Sequence, residues 1–194
     1  MKMNRPNQLS ILRILLIPAF IACFLYIEDP LIGSLVACGV FILASLTDML
    51  DGKIARKYNL ITNFGKFIDT LADKALVFSA LLVIAAKIEA LDDLMIWVCA
   101  LVFIRELGVT SIRLVCASSA GKVIAANYFG KLKTVTQMMC IIVVLVEYAF
   151  IESGVFTYTA YIPSFVTIVL MAIMTAASGI NYLKIYWPYI NSNE

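Results

Sequence analysis

Histidine is absent from this chain. That absence removes His-ligated metal sites, Ser-His and Cys-His nucleophilic chemistry and imidazole general bases together. Charge is also scarce: Asp, Glu, Lys and Arg supply 14% of the 194 residues, where soluble chains carry about 25%. The five cysteines (Cys23, Cys38, Cys99, Cys116 and Cys140) are scattered through apolar segments without close pairing, and read as small buried hydrophobes rather than disulfides or metal thiolates. No internal repeat and no low-complexity linker divides the chain. Nothing at its start looks like a cleavable signal, since Arg13 interrupts the first apolar run and no small-residue cleavage site follows.

What the chain has in abundance is apolar surface, 62% of residues with a mean hydropathy of +0.95. That balance belongs to an integral membrane protein with no room for a soluble domain, and nothing in it suggests nucleic-acid binding. Six apolar segments approach the length needed to cross about 30 Å of hydrocarbon. They run from Ile11 to Ile27, Leu31 to Leu50, Phe67 to Ala86, Leu94 to Cys116, Val135 to Phe150 and Ser164 to Tyr186. The expected fold is all-α: one membrane domain over residues 1–194, a polytopic bundle of six transmembrane helices. Pro6 and Asn7 to Ser10 are expected to cap the first helix or form a short N-terminal interfacial segment.

Basic residues gather at the N-terminus (Lys2, Arg5, Arg13), around the second connection (Lys53, Arg56, Lys57, Lys66, Lys74) and around the fourth (Arg113, Lys122, Lys131, Lys133). Acidic residues populate the other connections, with Lys87 the lone base among them. By the positive-inside rule both termini face the cytoplasm. Tyr182, Tyr186, Trp187 and Tyr189 read as an interfacial aromatic belt, and Ala176, Ala177, Ser178 and Gly179 as helix-packing positions.

Against this background four carboxylates stand out: Asp48, Asp51, Asp69 and Asp73, at the ends of two apolar segments. A charge there costs several kcal/mol on most scales unless solvated or paired, which makes it a functional hypothesis. Asp48 and Asp51 are spaced i, i+3 and Asp69 and Asp73 i, i+4, so each pair shares a helix face. Two such faces joined by a short connection make a four-carboxylate pocket suited to hard divalent cations, and two such cations can clamp a phosphoryl group. Plain helix caps at an interface are the bland alternative; four carboxylates at this spacing weigh against it.

Residues 48–73 spell D-x-x-D-G-x-x-A-R, eight residues, then G-x-x-x-D-x-x-x-D. At every fixed position this resembles the signature of the CDP-alcohol phosphatidyltransferase family. The stretches PNQLSILRILLIP, FGKFIDTLADK, IRELGVTSIRL and GKLKTVTQM extend the resemblance to most of the chain except its last quarter. One departure is Thr70, where such proteins commonly carry proline between the last two aspartates; it touches no ligand. The resemblance implies two divalent cations, Mg or Mn, held by Asp48, Asp51 and Asp69 with Asp73 completing or bridging the site. It also makes Asp73 the general base toward the incoming alcohol. Gly52 and Gly65 would let the nucleotide of CDP-diacylglycerol approach the backbone, Ala55 would keep that approach open, and Arg56 would fork onto phosphate. A homodimer in a bacterial inner membrane, with its site facing the cytoplasm, is the expected setting.

A second, basic constellation bears on the acceptor. Arg105 and Glu106 interrupt an apolar run, and Arg113 follows roughly 80° further around the helix. Lys131 and Lys133 lie across the next connection. Arg105, Arg113, Lys131 and Lys133 suit an acceptor phosphate, as in glycerol 3-phosphate, although topology alone also calls for such lysines and Arg105 has a carboxylate available for pairing inside the bundle. Asn7 and Arg13 are candidates for the mouth of the site. Inositol phosphate, serine or phosphatidylglycerol as acceptor, an Asp-rich prenyltransferase and a divalent-cation transporter are the competing readings. Clustering of all four aspartates at one end of the bundle argues against transport.

Overall fold

The computed structural model describes residues 5–58, 62–120, 128–156 and 160–190, with side chains outside the description at 5–6, 49, 51–57, 63, 66, 117–120 and 188–190. Every regular element among the described residues is helical. They are α1 (Arg5–Tyr26), α2 (Pro30–Lys57), α3 (Asn63–Lys87), a 3-10 turn at Glu89–Leu91, α4 (Asp92–Ala120), α5 (Tyr128–Glu152) and α6 (Ile162–Ile190). Five of the six α-helices are long and apolar enough to cross a membrane; α3 is the exception. It carries Lys66, Asp69, Asp73, Lys74 and Lys87 within 25 residues, so charge rather than length sets it apart. The expected six-helix bundle is present. Among the described residues no separate N-terminal interfacial segment precedes it: Asn7 to Ser10 are early turns of α1, with Asn7 and Ser10 buried against the bundle.

Local chemistry sets several helix ends. Asp29 Oδ1 accepts from the Leu31 and Ile32 N–H groups at 2.9 and 3.0 Å, and Pro30 opens α2, where a missing N–H is harmless. Thr62 caps α3 by accepting from the Gly65 N–H at 3.0 Å. Glu147, buried on α5, accepts from the Ser164 N–H at 2.7 Å and from the Ser164 hydroxyl, which ties the first turn of α6 to its neighbour. Helices α2, α4 and α6 have 28, 29 and 29 residues. At 1.5 Å per residue each exceeds the roughly 30 Å hydrocarbon core.

The helices close a ring in the order α1, α2, α5, α6, α4, α3, and α3 also touches α5 and α2 across its middle. Consecutive helices run antiparallel. Phe20, Phe24 and Phe41 fill the α1–α2 side, with Phe24 edge-on to Tyr148 at 5.6 Å. The cysteines are free, and all but Cys23 are buried. Leu15, Trp97, Ile104 and Leu114 point outward, as expected where lipid is the solvent and helices associate by close packing rather than by expelling water.

At the end away from the aspartates, Lys87 donates to the Phe24 carbonyl at the close of α1 and lies 4.7 Å from the Phe24 ring centroid and 5.5 Å from that of Tyr148. The Tyr161 hydroxyl donates to Glu152 at 3.1 Å.

Candidate active site

The site is built around a fully buried arginine. Arg13, on α1, donates from Nε to the Ala44 carbonyl at 3.3 Å and to the Thr47 hydroxyl at 3.4 Å. Its Nη1 reaches Asp48 Oδ1 at 3.0 Å and Asp69 Oδ1 at 3.2 Å. One guanidinium therefore pins α2 and α3 together at their carboxylates. The Arg13 side chain is 1% exposed while those of Asp48 and Asp69 are 37% and 46% exposed, so the positive charge lies beneath and the negative charge faces outward. Sequence reasoning put Arg13 at the mouth of the site; it lies underneath, because the partners that bury it come from two other helices.

The carboxylates open onto a cavity of about 1290 Å³. Asp48, Asp69 and Asp73 line one side; Arg105, Arg113, Lys131 and Lys133 line the other. All seven are residues expected at the site from sequence, now drawn from α2, α3, α4 and α5. Between the two sides sits Glu106, half-buried, accepting from Arg105 Nη1 at 2.7 Å and from Lys133 Nζ. Arg105 also donates from Nη2 to the Ser178 hydroxyl at 2.6 Å, and Glu106 is the carboxylate it pairs with inside the bundle. Lys74 donates to the Thr110 hydroxyl, which in turn donates to the Glu106 carbonyl at 2.7 Å. Ile42 and Leu46 of α2 and Val135, Met138 and Ile142 of α5 give the remaining wall an apolar stretch, with Ser45 and Thr134 among them.

Asp51, Gly52, Ala55 and Arg56 lie within the C-terminal turns of α2, and their side chains are outside the described ones. The helix runs unbroken through them, which keeps Asp48 and Asp51 in i, i+3 register. Gly65 is not part of the cavity wall. A Cβ there would lie 2.5 Å from Asn7 Oδ1 and 3.0 Å from Thr62 Oγ1, so its lack of a side chain lets α1 seat against the start of α3. Asn7 completes that junction by donating to the Thr62 hydroxyl at 3.4 Å. The aromatic-belt reading fails for Tyr182 and Tyr186, which are 5% and 1% exposed and line the cavity. Trp187 faces outward as expected.

Glu106 and the tyrosines are the residues that sequence reasoning missed. The signal for Glu106 was present, a carboxylate beside an arginine within an apolar run. For the tyrosines there was none, because an aromatic at a helix end reads alike whether it turns to lipid or inward.

The donor set suits a hard divalent cation in kind, because carboxylate oxygens are the ligands such ions take, although Arg13 already pairs with one oxygen of Asp48 and one of Asp69. Among the described residues no three acidic or thiol side chains converge closely enough to hold an ion by themselves. The Asp51 side chain is outside that set.

The family model for CDP-alcohol phosphatidyltransferases matches residues 3–179. The chain belongs to that family, whose members generally depend on a divalent metal. Among curated relatives, a Bacillus subtilis protein named CDP-diacylglycerol–glycerol-3-phosphate 3-phosphatidyltransferase is 34% identical over 98% of this chain and 99% of its own length. A Haemophilus influenzae protein of the same name is 36% identical over 95% of this chain and 94% of its own. One from Rickettsia typhi, again so named, is 40% identical over 73% of this chain and 76% of its own.

Proposed function

We infer that this chain is a membrane enzyme that transfers the phosphatidyl group of CDP-diacylglycerol to sn-glycerol 3-phosphate, giving phosphatidylglycerol phosphate and CMP. The observation that carries this reading is one cavity with aspartates on one side, four basic side chains opposite and an apolar wall between α2 and α5. Each part matches one piece of the substrates. The basic side suits the acceptor phosphate, and the apolar wall suits acyl chains. The aspartates, through bound metal, suit the pyrophosphate.

Asp48, Asp51, Asp69 and Asp73 would hold two divalent cations, Mg or Mn. When bound, these neutralise the pyrophosphate and stabilise the departing CMP. Arg13 holds Asp48 and Asp69 in position from beneath. Gly52, Ala55, Arg56 and Gly65 belong to the CDP-diacylglycerol side in this reading; for Gly65 the role is indirect, through the Asn7–Thr62 junction. Arg113, Lys131 and Lys133, with Arg105 behind them, hold the acceptor phosphate so that its hydroxyl faces Asp73.

Asp73 accepts the hydroxyl proton as that oxygen bonds to the phosphorus bearing diacylglycerol. The bond from this phosphorus to the bridging oxygen breaks, and the electron pair leaves with CMP. The reaction is a single direct displacement with sequential kinetics, since the site offers no covalent nucleophile beyond its carboxylates. Residues 1–194 act as one membrane domain. The bundle is a homodimer in a bacterial inner membrane with the cavity toward the cytoplasm, the side favoured by its lysines and arginines.

The test is CMP release by purified protein in detergent with Mg or Mn, across glycerol 3-phosphate, inositol phosphate, serine and phosphatidylglycerol. Release that requires glycerol 3-phosphate and stops on chelation supports the assignment. Release with another acceptor keeps the family chemistry and overturns the acceptor. In the same assay Arg113→Glu should raise the glycerol 3-phosphate KM at least about tenfold, the scale of one lost charge-assisted contact. An unchanged acceptor KM would remove Arg113 from that role.

A further inference from the structure

One face of α6, beyond the part of the chain that carries the family signature, is shaped around the two cavity arginines of α4. On α4, Arg105 and Arg113 are spaced i and i+8. Opposite them on α6, Ser178, Tyr182 and Tyr186 repeat at intervals of four, so they form one stripe. Ser178 accepts from Arg105 Nη2 at 2.6 Å. The Tyr182 ring lies with its centroid 5.6 Å from Arg105 Cζ. Tyr186 stacks on Tyr182 at 6.0 Å and 13°, and it lines the cavity together with Arg113, whose charge acts on its hydroxyl.

Two glycines set the spacing. A Cβ on Gly179 would stand 3.3 Å from Arg105 Cγ, and one on Gly130, at the start of α5, would stand 3.3 Å from the Tyr182 hydroxyl oxygen. Ser178 and Gly179 therefore act on a cavity residue as well as packing a helix. Arg105 itself is held by Glu106 on Nη1, Ser178 on Nη2, the Tyr182 ring beside Cζ and Gly179 along the stem, while its buried Nε has no partner among the described residues. A guanidinium confined on these sides presents a fixed fork, and a fixed fork discriminates by geometry as well as by charge.

We propose that Ser178, Gly179, Tyr182 and Tyr186 of α6 are positioning residues that aim Arg105 and Arg113 at the phosphate of the acceptor, and so set acceptor affinity without touching CDP-diacylglycerol. This rests on the acceptor assignment above. The arrangement makes α6 a specificity element: other side chains at these positions would release or re-aim the arginines and favour a differently shaped acceptor anion.

The experiment measures both KM values, kcat and melting temperature for Ser178→Ala, Ser178→Thr and Gly179→Ala in detergent. Ser178→Ala should raise the glycerol 3-phosphate KM about tenfold, the scale of one hydrogen bond to a charged group. The KM for CDP-diacylglycerol should stay unchanged, and Ser178→Thr, which keeps the hydroxyl, should recover most of the loss. Gly179→Ala is the sharper probe, because alanine favours a helix over glycine by about 1 kcal/mol yet pushes on Arg105. It should raise the acceptor KM several-fold without lowering the melting temperature. Equal changes in both KM values, or an acceptor KM that follows melting temperature across the variants, would overturn the proposal. If the unmodified enzyme releases CMP only with an acceptor other than glycerol 3-phosphate, the acceptor assignment fails first, and this inference fails with it.

Discussion

The two ends of the bundle both bury charge, and they use it differently. At the closed end the charged side chains serve the helix backbone. Glu147 accepts from the first turn of α6, and Lys87 covers the last turn of α1 beneath two aromatic rings. At the open end charged side chains serve one another: Arg13 joins two aspartates and Glu106 joins two bases, while Asp73 and further cations face the cavity. A charge that completes a helix end is spent on the fold. Charges that pair only in part keep capacity for a ligand, and a membrane protein tolerates them where water reaches.

Variants at the two ends should therefore separate by what they change. Asp73→Asn, at the open end, should lower CMP release by about 10²–10⁴-fold, the range for loss of a general base, with little change in melting temperature. Retained turnover would move the base elsewhere. Arg13→Met should affect both quantities. Breaking a buried pair costs about 3–5 kcal/mol, and the lower figure applies because Asp48 and Asp69 remain open to the cavity. The variant should also need more Mg to reach half-maximal thermal stabilisation, because two unneutralised carboxylates would hold each other apart. An unaltered metal requirement would leave Arg13 a purely structural bolt.

Glu147→Gln should cost about 1–2 kcal/mol in unfolding, from weaker hydrogen bonds and lost charge at a helix start. Both KM values of the folded fraction should stay in place. A shift in either KM would erase the distinction between the ends. Lys87→Met should have the smallest effect, about 1 kcal/mol, since its contacts are one carbonyl and two ring faces. Turnover should be unaffected.

The aspartates were legible in the sequence because the bilayer makes charge expensive and helical spacing converts position into direction. The basic side was legible for the same reason, and six helices followed from six apolar runs. What escaped was whatever depends on how a helix is rotated against its neighbours. Tyr182 and Tyr186 sit where a membrane-facing belt would also place them, and only the packing of α6 on α4 and α5 turns them inward. Arg13 interrupts an apolar run at a place where burial and exposure read alike. Its depth is decided by α2 and α3, which deliver Asp48 and Asp69 on either side of it. Gly65 was recognised as a position that forbids a side chain, but the neighbour it makes room for is Asn7, from the far end of the sequence.

The apolar wall between α2 and α5 has a kinetic consequence. A cavity that meets hydrocarbon on one side and aqueous phosphate chemistry on the other draws its two substrates from different phases. The lipid arrives by lateral diffusion and is counted by its mole fraction in the micelle or bilayer, whereas the acceptor is counted by its concentration in the buffer. Adding inert detergent at constant total lipid should slow the enzyme by surface dilution, while the dependence on soluble acceptor stays where it was.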